Sequence, residues 1–408
     1  MVASSDTVAE PSTGLQEGFF SGAWDDLRTS GLAPRIATDA RADDAAIRAF
    51  EAGFKLMRLD VQGRGAFGQQ ARIVDCLSAG RRYAVIILPR QSAKTTSIEG
   101  YLLGLCETTP GLQVAYMSGT TGKFARSHFL TKIAAPIERT WPEKADRPLT
   151  VHKTPGMERI EWPNGSTFRV YGTPDDFRGT SQDVIWIDEA GELEGARRTE
   201  FLSAAQPTQD TRHGVVLETP LMILSGTAGK SRAGQGEAAG NALWDFLELG
   251  RAGDPAVSIL EYSAGVDLTL EDIETWEQTE PLVRASHPGV GTLTTLETIR
   301  GNYATMQRAT FLSEYLGIFG DEGASQGLIL PAKWRDAALS AALPHVPDDA
   351  GLALAIGYHE AAGSVCAAWR DEEGVAHIMV VHWDEGTRWM PSWVQAFTTK
   401  RPKATFAY

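Results

Sequence analysis

The sequence predicts an α/β fold whose central strands are buried on both faces, as in a parallel sheet. Two observations carry this prediction. Tyr83-Ala-Val-Ile-Ile-Leu88 and Asp183-Val-Ile-Trp-Ile187 are continuous apolar, β-branched runs rather than alternating ones. Around them, residues 60–230 alternate strand-like runs with helix-like spacing. The 408 residues suffice for two or three domains at roughly 100–200 residues each. A hydrophobic content of 43% favours a packed core over global disorder.

Taken in order, residues 1–40 read as an irregular lead-in. Ala45, Ile47, Phe50 and Phe54 have helical spacing within Asp43–Phe54, and a second helix is expected over Gln69–Ala79. The strand at 83–88 runs through a polar turn into a long helix over Thr95–Cys106. Val114–Met117 is a further strand, and Gly122–Trp141 is mostly helical in pattern. Pro163-Asn164-Gly165 between Arg159–Trp162 and Ser166–Tyr171 marks a β-hairpin. Leu221–Leu224 is another buried strand, followed by a glycine-rich loop over Ser225–Gly240 and helices to about Phe319. Gly320–Gly327 reads as a linker. Leu352–Tyr358, Ser364–Trp369 and Ala376–Trp383 read as a β-meander.

Composition narrows the function. The net charge of −14 excludes a surface that is basic all over, though not a local basic channel. Cys76, Cys106 and Cys366 are too few and too scattered for a disulfide framework or a CxxC zinc site, which points to a reducing cytoplasm. No apolar run reaches the ~18 residues of a membrane span, and Met1–Gly14 lacks the basic start and apolar core of a signal peptide.

Two segments carry chemistry. Leu88-Pro-Arg90-Gln91-Ser92-Ala93-Lys94-Thr95 lies between a strand and a helix, the setting of a phosphate-binding P-loop. Against GxxxxGK[ST], Leu88 and Ala93 replace the two glycines, and only Lys94 and Thr95 match literally. Backbone N–H groups at a helix N-terminus cradle phosphate whatever the side chains are. Lys94 then contacts the β- and γ-phosphates of ATP, Thr95 ligates Mg²⁺, and Arg90 adds a second cation. The competing reading is a surface turn with Lys94 merely solvated. The second segment is Asp188-Glu189, at the end of the 183–187 strand, where open α/β sheets bind ligands. Asp188 suits Mg²⁺ and Glu189 suits the orientation or deprotonation of attacking water. Its alternative is a helix N-terminus favoured by acidic residues. The two segments together favour an ATPase.

Together these elements resemble the large subunit of the tailed-phage terminase, the motor that packages viral DNA. The resemblance follows motif order over roughly residues 60–408. Arg90-Gln-Ser-Ala-Lys94-Thr95 is similar to that family's Arg-containing P-loop, and the run from Asn164-Gly165 through Phe177-Arg178-Gly179 to Asp188-Glu189 is similar to its approach to the acidic motif. The resemblance implies that Arg178 acts as a finger on ATP, from the same or a neighbouring subunit. It implies that Ser225-Gly226-Thr227 couples hydrolysis to movement, and that Gln70 recognises adenine. Glu271–Trp276 and Thr310–Gly317 look like the family's lid and its exit to the nuclease. The implied organisation is a lead-in (1–45), a P-loop ATPase core of RecA/ASCE type (46–230), a helical lid (231–320), a linker (321–350) and a partial RNase H-like nuclease (351–408).

The nuclease region departs from the pattern. Gly357 stands where the first strand would bear a metal-binding Asp, and His359 and Glu360 follow at a different spacing. The chain ends at Tyr408, about where the strand before the second acidic residue would lie. Two-metal cleavage needs several positioned carboxylates, so no DNA cleavage is expected. The implied partners are double-stranded DNA, further copies of the chain in a ring (a pentamer in the family), the portal protein and the small terminase subunit. The implied location is the host cytoplasm, transiently at the procapsid portal. The alternatives are a helicase-type P-loop ATPase, which would need a second RecA-like domain, and an inactive prophage remnant or scaffold.

Overall fold

The two apolar runs occupy one sheet, a single strand apart. The computed structural model describes residues 20, 23–59, 66–229, 241–265, 268–320, 345–356 and 362–407. The chain divides into two units, Met1–Leu328 and Ile329–Tyr408. Strands of the first unit are β1 (Ile36–Ala37), β2 (Tyr83–Ile87), β3 (Gln113–Ser118), β4 (Thr150–His152), β5 (Arg159–Glu161), β6 (Thr167–Val170), β7 (Val184–Asp188), β8 (Leu221–Gly226) and β9 (Val257–Glu261). They form one sheet in the order β1-β9-β2-β8-β7-β3-β6-β5-β4. The run from β9 to β6 is parallel; β1, β5 and β4 are antiparallel to their neighbours.

Helices of this unit are α1 (Trp24–Thr29), α2 (Asp44–Leu56), α3 (Gly68–Leu77), α4 (Lys94–Thr108), α5 (Gly122–His128), α6 (Ala135–Thr140), α7 (Gly195–Ala205), α8 (Ala242–Arg251), α9 (Trp276–Ser286), α10 (Leu296–Thr305) and α11 (Arg308–Leu316). Strand alternation splits the core between the two faces of the sheet. Ala84, Ile86, Val184 and Trp186 pack with residues of α2, α3 and α4, while Val85, Ile87, Ile185 and Ile187 pack with Phe201, Leu243 and Phe246. Burial on both faces is why these strands read as continuous apolar runs. Helices α9 to α11 hold a separate apolar cluster around Ile273, Ile299 and Phe311.

Two corrections concern the segments expected to be irregular or helical. The lead-in contains α1 and β1, and Trp24 is buried, its Nε1 donating to Asp75 Oδ1 at 3.0 Å. Within the range read as a lid, β9 joins the central sheet beside β2. Its Glu261 is buried at the sheet and accepts from Arg35 and Arg251, which is what allows a carboxylate there. Residues 321–344 of the expected linker and the Gly357, His359 and Glu360 positions lie outside the described residues.

The second unit contains β10 (Gly351–Ile356), β11 (Ala362–Arg370), β12 (Ala376–Glu385), α12 (Met390–Lys400) and β13 (Thr405–Ala407). The order is β12-β11-β10-β13, with β10 antiparallel to β11 and parallel to β13. The meander is joined by a helix and a fourth strand absent from the sequence reading. Trp393, Val394 and Phe397 of α12 cover Leu352, Val365 and Ala367. None of the described helices is long and apolar enough to cross a membrane.

Candidate functional site

The β2–α4 turn and the end of β7 meet at the C-terminal edge of the sheet. Within the turn, Gln91 and Ala93 adopt left-handed backbone conformations, with φ of 59° and 62°. Ala93 is the N-cap of α4, so the sharp bend that opens the helix N-terminus is made at the position where glycine is usual. Lys94 follows as the first residue of α4. Its side chain is only 7% exposed and its Nζ lies 3.4 Å from Glu189 Oε1 and 3.8 Å from Asp188 Oδ1.

Asp188 is held from two sides. Thr95 Oγ1 donates to its Oδ2 at 3.0 Å, and Ser225 Oγ donates to its Oδ1 at 2.9 Å. Ser225 in turn accepts from Trp186 Nε1 at 3.0 Å. A hydroxyl and a carboxylate converging at a helix N-terminus form a hard-oxygen donor set of the kind Mg²⁺ prefers, so Thr95 and Asp188 fit that ion. Glu189 adopts φ of 51°. A Cβ on Gly119 would lie 2.2 Å from the Glu189 carbonyl oxygen, so the β3–α5 loop packs directly on this strained backbone.

The other expected residues have different surroundings. Arg90 points to the helical cluster: its side chain pairs with Glu314, and its N–H donates to the Glu314 carbonyl oxygen at 2.8 Å. The side-chain bond to Glu314 raises the Arg90 guanidinium above its ordinary pKa. Ser92 is buried. Gln70 is also buried, and its Oε1 accepts from the Phe67 N–H, so it caps the start of α3. Arg178 is 76% exposed and pairs with Asp175 at 2.8 Å. Gly226 ends β8 and Thr227 follows it.

The sequence reading missed a second layer. Glu99 is one helical turn beyond Thr95, and its Oε2 lies 3.4 Å from His128 Nε2. Burial raises the Glu99 carboxyl above its ordinary range, against the pull of His128. Burial pulls His128 down, but its hydrogen bond to Glu99 and the nearby charges carry it above its ordinary value. The i, i+4 spacing from Thr95 was the available signal for Glu99; His128 had none. Both line a cavity of about 660 Å³ together with Thr95, Thr96, Asp188, Glu189, Arg58, Lys132 and Arg139. That volume is in the range of small-molecule sites.

No family model matches the sequence, and no curated protein matches it. Among solved structures, the HK97 bacteriophage large terminase is similar at 15% identity, over 89% of this chain and 74% of that one, with a TM-score of 0.51. The large terminase ATPase domain of Thermus phage P74-26 matches at 17% identity over 64% of this chain and 95% of that one, with a TM-score of 0.42. The large terminase of the thermophilic bacteriophage D6E, in complex with ADP, matches at 8% identity over 89% and 75%, with a TM-score of 0.39. The HK97 likeness shows that this chain has the large-terminase fold.

Proposed function

We propose that this chain is an ATP-hydrolysing motor subunit of the terminase type, which moves double-stranded DNA into a viral procapsid. The observation that carries the reading is the meeting of Lys94, Thr95, Asp188 and Glu189 at the C-terminal ends of two parallel strands. A helix N-terminus beside a lysine and a carboxylate pair suits a nucleotide triphosphate and a divalent ion. The large-terminase fold supports the coupling of that chemistry to DNA.

In this reading the β2–α4 turn is a P-loop whose backbone N–H groups receive the phosphates, and Lys94 turns from Glu189 to the γ-phosphate. Thr95 and Asp188 would hold Mg²⁺, which would supply neutralisation of phosphate charge. Glu189, freed from Lys94, orients the attacking water and accepts its proton. Ser225 senses Asp188 directly, and β8 carries that change toward Gly226 and Thr227. Arg178 stabilises the transition state from a neighbouring subunit in a ring, and the portal and small terminase subunit are the further partners. The second unit is read as RNase H-like, with Gly357 in place of a metal-binding Asp and therefore without nuclease activity.

The test is Mg²⁺-dependent ATP hydrolysis by the full chain. Lys94→Ala should abolish nucleotide binding or turnover. Glu189→Gln should keep ATP binding and lose turnover by at least about 10²-fold, the low end for a general base. Unchanged turnover in Glu189→Gln removes that residue from the mechanism, and unchanged turnover in both variants overturns the reading.

A further inference from the structure

The cavity beside the carboxylate pair has charges of both signs in its lining. Thr95, Asp188 and Glu189 line it, and Arg58, Lys132 and Arg139 bring three cations to the same lining. We propose that this cavity is a binding site for inorganic phosphate, which leaves the hydrolysis site through it. The proposal rests on the ATP-hydrolysis reading of the adjacent residues.

Electrostatics give the direction. A phosphate dianion released beside Asp188 and Glu189 is repelled by both carboxylates and attracted by the cations. While the nucleoside diphosphate stays on the β2–α4 turn, the cavity borders the site at Thr95 and Glu189.

The backbone marks the same place. Among the described residues, the non-glycine positions with positive φ are Arg58, Gln91, Ala93 and Glu189. Two shape the turn, and the other two, Arg58 and Glu189, line the cavity. Such conformations cost free energy and cluster at functional sites. Lys132 sits on a π-helical turn, Phe129–Ala134, between α5 and α6, a second irregularity of the kind found at such sites.

Glu99, in the same lining, adds unsatisfied capacity. Glu99 is buried, and its Oε1 has no hydrogen-bond partner. A buried polar atom in that state indicates a missing ligand or water. Glu99 Oε1 can accept the O–H of a hydrogen phosphate.

Calorimetric titration of the full chain with inorganic phosphate, with and without MgADP, tests the site. Wild type should bind phosphate. Lys132→Ala and Arg139→Ala should each weaken binding about tenfold, the low end for losing a charged hydrogen bond, and Lys132→Arg should retain it. Inhibition of ATP turnover by added phosphate should weaken in the same order. Absence of phosphate binding, or binding indifferent to both alanine variants with their thermal unfolding unchanged, overturns the proposal. If wild type binds phosphate as described but hydrolyses no ATP, the hydrolysis reading fails while the site stands. If Lys132→Ala instead weakens retention of a short DNA duplex and leaves phosphate binding intact, the cations belong to a nucleic-acid surface and the proposal fails.

Discussion

Ala93 carries a conformation that glycine tolerates better. A left-handed residue with a Cβ costs roughly 1–2 kcal/mol, part of which glycine returns as lost freedom on folding. Ala93→Gly is therefore expected to stabilise the first unit by about 0.5–1 kcal/mol in equilibrium denaturation. Destabilisation would mean that the alanine methyl packs against something the turn needs. At this scale the sequence was most readable where a residue ends a strand. Lys94, Thr95, Asp188 and Glu189 were legible because strand, turn and helix fix their direction. The present partners of Arg90 and Gln70 were not, because they were decided elsewhere. Glu314 is a distant residue on α11, and the N–H of Phe67 offered Gln70 a nearby capping bond.

Helices α2 and α4 touch through their backbones. A Cβ on Gly53 would lie 1.7 Å from the Gly100 carbonyl oxygen, and one on Gly104 would lie 1.7 Å from that of Ala49. Neither oxygen can move without parting the helices, and α4 begins at Lys94. Gly53→Ala should thus destabilise by about 3 kcal/mol and weaken nucleotide binding. Gly301, inside α10, faces open space. There the same substitution should stabilise by about 0.5–1 kcal/mol, because alanine loses less backbone freedom in a helix. Thermal unfolding of the two variants checks the opposite signs. Elements with a dense local signal, such as β2 and β7, were legible in the sequence. The two-residue β1 and the Glu-ending β9 depend on pairing with each other and on Arg35 and Arg251. The α12 helix did have a signal, the helical spacing of Trp389, Trp393 and Phe397.

For the proposed motor, the position of Arg178 matters most. It is exposed and paired with an equally exposed Asp175, a pair of little net worth in water. An arginine so placed is available to another copy of the chain, where a finger is worth about 10³–10⁵ in rate. Mixed rings of Arg178→Ala and Glu189→Gln subunits should recover ATPase activity that neither variant has alone. Mixed assemblies that form and remain inactive would assign Arg178 a local role at the Gly179 turn. The proposed ring, DNA substrate and coupling rest on family resemblance alone, since no single chain displays its neighbours.

Lys94 now occupies the place of a counter-ion for Glu189 and Asp188. In the proposed mechanism its ammonium and a divalent cation compete for the same carboxylates, whereas nucleotide draws the ammonium away and leaves them to the cation. Thermodynamic linkage makes the two ligands mutually reinforcing, by the same factor in either order of addition. Mg²⁺ alone should bind weakly in a titration and more tightly once a non-hydrolysable ATP analogue is present. Lys94→Ala should separate the two affinities, with nucleotide binding lost and the affinity for bare Mg²⁺ increased.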